Sequence, residues 1–181
     1  MLNVDDLIRL FNQLFQSTEN TVLVAGDDEP IYLPADQNFP HHRVIFAHGF
    51  YESALHEISH WCIAGKERRQ LVDFGYWYEP DGRDADRQRE FEQVEVKPQA
   101  LEWILSEACG RNFQVSTDNL DGDPVEVASG LARFRHNVVL QAQHYLSQGL
   151  PARAEVLKHA LLDYYQRHRQ FSAELFVLDR L

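Results

Sequence analysis

His56, Glu57 and His60 stand as His-Glu-x-x-His inside SALHEISHWCIAG, residues 53–65. Two histidines four positions apart on a helix project about 40° from each other. They can hold one cation from adjacent turns, and a lone pair of buried imidazoles left without partners would cost free energy. With zinc and a carboxylate as third ligand the set does hydrolysis, with Glu57 as general base. With iron(II) the same two-histidine, one-carboxylate set is a facial triad with open positions for O2 and substrate. Spacing alone does not choose between these metals.

The third ligand separates the chemistries. Metzincin proteases place a histidine six residues after the second, which here is Lys66, and a glycine three residues after it, which here is Ile63. The carboxylate candidates are Asp73, Glu92, Glu95 and Glu102. Glu95 is favoured because it lies between Val94 and Val96, where a carboxylate needs a cation or strong hydrogen bonds. Glu92 and Glu102 read as exposed helix charges. Among the other histidines, His48 ends an expected strand beside the helix and is a candidate for supporting a ligand from outside the first ring. His136, His144, His159 and His168 fit solvated helix faces. The pattern His-x-Asp/Glu occurs nowhere in the chain, which argues against an oxygenase of the 2-oxoglutarate type.

The elements that must position these groups are legible from periodicity. Residues 4–15 repeat apolar side chains at helical spacing. NTVLVAG and HRVIFAHG read as strands, the second buried on both faces, and DDEPIYLPAD between them as a turn-rich connection. The helix over about 51–64 is apolar nearly all round, Phe50 included, and should be central, with Gly65 as its C-terminal stop. LVDFGYWY is strand-like and ends in the turn EPDGRD. Residues 84–109 read as helix, kinked or divided by Pro98, although the alternation around Glu95 also allows a strand over 91–97. STDNLDGDP is a polar loop. Two helices follow, over about 124–147 and 152–168, punctuated by Gly149 and Pro151. This is an α+β chain: one domain over 1–181, a metal-binding core over about 20–110 and C-terminal helices over about 124–168.

The chain has 181 residues, 44% of them hydrophobic, which is enough for a core. A net charge of -11 disfavours nucleic acid as partner and favours cationic groups. No apolar run is long enough to span a bilayer, so no membrane role is expected. The acidic, amphipathic start is unlike a signal peptide, and the two cysteines suit a reducing compartment, so a cytoplasmic protein is expected. Cys62 and Cys109 read as small apolar core residues.

Four stretches together, GDDEPIYLPAD, FAHGFYESALHEISHWCIAG, LVDFGYWYEPDGRD and FEQVEVKPQALEW, resemble the bacterial elongation factor P hydroxylase family. The resemblance runs from about residue 3 onward and is weakest in the last helices. It implies a small zincin-like metalloenzyme fold, a short sheet with a buried His-Glu-x-x-His helix and helices around it. It implies a non-haem, metal-dependent monooxygenase that modifies a protein involved in translation. The substrate it implies is elongation factor P, lysylated on its modified lysine. Carried onto this sequence, the metal ligands are His56, His60 and Glu95. Glu57 takes a supporting catalytic role, orienting a ligand or relaying protons. The expected cofactors are a divalent metal, iron(II) with zinc as the other occupant, and O2. Tyr76, Trp77 and Tyr78 are substrate-binding candidates, able to stack on an ammonium, although aromatic packing in a half-buried strand explains them as well.

Overall fold

The computed structural model describes residues 3–73, 85–117, 124–167 and 172–181. Among these it is α+β, with five α-helices and one three-stranded sheet. Helix α1 (Val4–Phe15) starts where the Asn3 side chain accepts a hydrogen bond from the Asp5 amide, and it buries Leu7, Phe11 and Phe15. Strands β1 (Thr21–Ala25), β2 (Ile31–Leu33) and β3 (His42–Phe46) follow. The sheet order is β1-β3-β2, with β1 parallel and β2 antiparallel to the central β3. Leu23, Val44 and Tyr32 lie side by side across it.

Two expectations about the sheet are corrected. DDEPIYLPAD contains a strand as well as turns, because Pro30 and Pro34 flank Ile31–Leu33 and leave its amides free to pair on an edge. Strand β3 is not buried on both faces: Val44 and Phe46 are buried, while His42, Arg43 and Ile45 are half-buried. Alternation under a single covering layer explains this.

Helix α2 (Tyr51–Ile63) enters from a 3-10 turn at Ala47–Gly49, where His48 and Gly49 both take left-handed backbone. Phe50, expected in the apolar girdle, is 63% exposed, because it is the N-cap rather than a turn of the helix. Trp61 meets Phe11 and Phe15 edge-on, with centroids 5.0 and 4.9 Å away. Gly65 does not stop α2 in left-handed backbone. The cap is Ala64, and Arg153 donates to the carbonyls of Trp61, Cys62 and Ala64 at 2.8, 3.1 and 2.7 Å. A guanidinium there satisfies terminal carbonyls and complements the negative helix end.

Helix α3 (Ala85–Cys109) runs through Pro98 undivided, and the alternative strand over 91–97 is not formed. It packs against α2, α4 (Pro124–Gln148) and α5 (Ala152–Tyr164). Trp103 is its largest buried side chain, edge-on to Phe176 and stacked near Phe113. Gly149 takes left-handed backbone between α4 and α5, as a C-terminal glycine should. Helix α5 stops four residues before the expected end. Gln166 is left-handed there, and the Arg167 amide donates back to Leu162 O at 2.8 Å, closing a Schellman motif. Cys62 and Cys109 are free, buried thiols. Of LVDFGYWY only residues 71–73 are described, and Asp73 pairs with Tyr32 in an antiparallel bridge. The rest of that stretch, its following turn, residues 118–123 of the polar loop, and His168 lie outside the described residues. No described helix is long and apolar enough to cross a membrane.

Candidate metal centre

Helix α2 presents His56 and His60 on one face, with ring centroids 4.7 Å apart. Helix α3 crosses that face and brings Glu95, 3% exposed, between them. One ligand atom from each of His56, His60 and Glu95 lies within 4.8 Å of the others. The His60 Nε2 is 3.1 Å from Glu95 Oε1 and 3.1 Å from His56 Nε2, and His56 Nε2 is 3.5 Å from Glu95 Oε2.

The protons explain why this cluster suits a cation. Glu102 Oε2 lies 2.9 Å from His56 Nδ1 and accepts the proton there, so a cation that displaces the other ring proton would meet the Nε2 lone pair on the side of His60 and Glu95. Three electron-rich groups then face one another. Ligand atoms around one ion with bonds of about 2.1 Å are spaced about 3.0 Å at right angles and about 3.4 Å at tetrahedral angles. The observed separations, 3.1 to 3.5 Å, lie close to those values, so the residues present fit a divalent metal.

The polar stripe that does this was not foreseen in full. Gln88, Glu92, Glu95, Gln99, Glu102 and Ser106 recur at steps of four and three, one line down α3. Glu92 and Glu102, expected as exposed charges, are 7% and 8% exposed. The inward face of α3 carries them, and each has a partner: Arg133 Nη2 donates to Glu92 at 2.9 Å, and His56 donates to Glu102. Gln99 Nε2 donates to Glu95 at 3.4 Å and to Ser116 O at 2.7 Å, while its Oε1 accepts from the Ser116 amide at 3.0 Å. The heptad spacing of polar residues was the signal available in the sequence.

The electrostatics follow from burial and pairing. Burial alone would lower the His56 pKa, but the Glu102 hydrogen bond and the charges of Glu102, Glu95 and Glu57 raise it to about 10. Burial would raise that of Glu95, but His60, His56 and Gln99 bring it down to about 2. The Glu57 carboxyl is raised, chiefly by burial and against the pull of both imidazoles. Carboxylates that favour positive charge on the His56 ring favour a metal ion in the same place.

His60 also lines an open cleft beside the cluster. Tyr32, Val44, Trp61 and Ala64 line it with Glu57, and Arg68, Arg69 and Asp73 supply its other charged groups. His48 lies at the entry to α2, its ring 5.8 Å from that of Phe50, with no hydrogen bond to His56, His60 or Glu95 among the described residues. Asp73 is engaged by Arg68, not by the cluster. His136, His144 and His159 are exposed, as expected. Tyr76, Trp77 and Tyr78 lie outside the described residues.

Comparison with known proteins places the chain. The family model described as elongation factor P hydroxylase matches residues 10–176. A protein of Haemophilus influenzae named elongation factor P lysine hydroxylase is 56% identical over 162 residues, covering 90% of this chain and 89% of that protein. With a match of this extent taking in both the His-Glu-x-x-His helix and the helix carrying Glu95, the chain belongs to the elongation factor P hydroxylase family.

Proposed function

We propose that this protein hydroxylates elongation factor P on its lysylated lysine side chain, as a metal-dependent, non-haem monooxygenase of the cytoplasm that uses O2. The convergence of His56, His60 and Glu95, in a chain 56% identical to a named elongation factor P lysine hydroxylase, carries this reading. His56 and His60 would hold a divalent metal through Nε2, and Glu95 through its carboxylate. Two histidines and one carboxylate suit iron(II), and zinc would fill the same donors when iron is scarce. Bound there, iron(II) supplies the activation of O2 needed to oxidise an unreactive C–H bond. One oxygen atom enters the side chain and the other leaves as water, so two electrons come from an external reductant. The absence of His-x-Asp/Glu and a cluster drawn from two separate helices support a route without 2-oxoglutarate. One helix bearing both histidines, with a short sheet beside it, supports a zincin-like description of the fold.

The protein's own groups do the positioning. Glu102 keeps the His56 proton on Nδ1. Gln99 restrains Glu95 and ties it to the loop at Ser116. The acidic surface attracts a cationic substrate, an effect that salt weakens.

Iron(II)-loaded protein, lysylated elongation factor P and a reductant should yield a substrate heavier by one oxygen atom, only when O2 is present. Intact mass reads this. Cleavage of the partner without O2 would overturn the reading in favour of a zinc hydrolase with Glu57 as base.

A further inference from the structure

His60 is the member of the cluster that lines the cleft, whereas His56 and Glu95 are backed by Glu102 and Gln99 of α3. The cleft therefore gives substrate an approach to the His60 side of the cluster. The lining has two characters. Val44, Ala64 and the rings of Tyr32 and Trp61 offer apolar wall to a chain of methylenes. The charged groups are paired with one exception. Arg68 donates to Asp73 with its Nη2 at 3.1 Å, and Arg69 Nη1 donates to Glu19 at 2.9 Å. Glu57 has neither a hydrogen bond nor an ion pair among the described residues, yet it sits on the cleft wall three residues before His60. A carboxylate set among apolar lining is complementary to an aliphatic primary ammonium.

We propose that Glu57 is the ammonium seat of the substrate cleft, receiving the cationic end of an aliphatic amine side chain that lies along Val44, Tyr32 and Trp61. The proposal deepens the hydroxylase reading and rests on it for the identity of that side chain. It gives Glu57 a binding role in place of the proton transfer that His-Glu-x-x-His hydrolases ask of it. The seat would draw the side chain past His60 and fix how far it reaches.

The test uses two short peptides, one with a lysyl-lysine side chain and one with the same amines acetylated. Binding is measured by calorimetry to the wild type, Glu57→Gln and Glu57→Asp. The cationic peptide should bind the wild type and lose about tenfold or more in Glu57→Gln, the range of one charge-assisted hydrogen bond. Glu57→Asp should restore part of that loss. The acetylated peptide should bind all three weakly and alike, with every comparison made at saturating metal. In turnover, KM should rise more than kcat falls. Equal binding of the cationic peptide by wild type and Glu57→Gln overturns the proposal, as does a fall in kcat at constant KM. If Glu57→Gln does not fold, Ala64→Leu narrows the cleft without touching a charge. It should weaken the cationic peptide and leave metal affinity alone, and unweakened binding overturns the proposal. A wild type that binds the cationic peptide but transfers no oxygen supports the seat and overturns the hydroxylase reading. Oxygen transfer with unimpaired binding in Glu57→Gln does the reverse.

Discussion

Helices α2 and α3 both supply ligand candidates, but they are built on opposite plans. Helix α2 is an apolar core helix with two imidazoles set into it: Ala54, Leu55, Ile58, Trp61 and Cys62 are buried around them. Helix α3 buries carboxylates and amides along one line, and only from Ala100 onward does an apolar core dominate beside them. The rings on α2 are held chiefly by packing. The carboxylates on α3 are held by partners, each costly to leave alone. Loss of a partner on α3 should therefore weaken the metal centre without touching a ligand, whereas on α2 the ligands themselves are the vulnerable points.

The largest effect should come from the ligands on either helix. His60→Ala and Glu95→Ala should each abolish metal retention and product, read by metal analysis after gel filtration and by substrate mass. Wild-type metal content in either would remove that residue from the set. Next is the apolar end of α3. Trp103→Ala should cost about 3–5 kcal/mol in chemical unfolding, because a fully buried ring is replaced by a cavity. Glu102→Gln should lower metal affinity about 10–100-fold with little change in unfolding midpoint, since it keeps an acceptor near His56 but removes the charge. An unchanged affinity would mean that α3 acts through Glu95 alone. The two thiols sharpen the contrast further. Burial pushes both Cys62 and Cys109 up to about 12, so neither should react with alkylating reagents at pH 8 until the protein unfolds. The smallest effect is at the entry to α2, where Phe50→Ala should alter stability by no more than about 0.5 kcal/mol.

The same contrast explains what could be read in the sequence. Helix α2 was legible because its motif and its apolar girdle coincide, and α1 and β1 were legible because period 3.6 and a short apolar run are strong signals. Strand β2 was hidden by the prolines that bound it. The carboxylates of α3 were harder. A charged residue on a helix is ordinarily solvated, and nothing local distinguishes Glu102 from an exposed glutamate. What marks it is the line from Gln88 to Ser106, visible only when the whole helix is read at heptad spacing, and the partners it meets across 46 positions of sequence. The residues alone favoured Glu95 among four carboxylates, and family resemblance supplied it as a ligand. The cleft was not legible at all, since its walls come from β2, β3, α2 and the segment after it.

Arg153 gives the far end of the chain a say in the candidate metal centre. It stands on α5, some ninety positions beyond α2, and grips the last carbonyls of the helix that carries both histidines. Proteolytic trimming of the C-terminal helices would remove no ligand and no cleft wall. It would nonetheless free the end of α2 one turn from His60, and the ion would be held by a fraying spring instead of a clamped one.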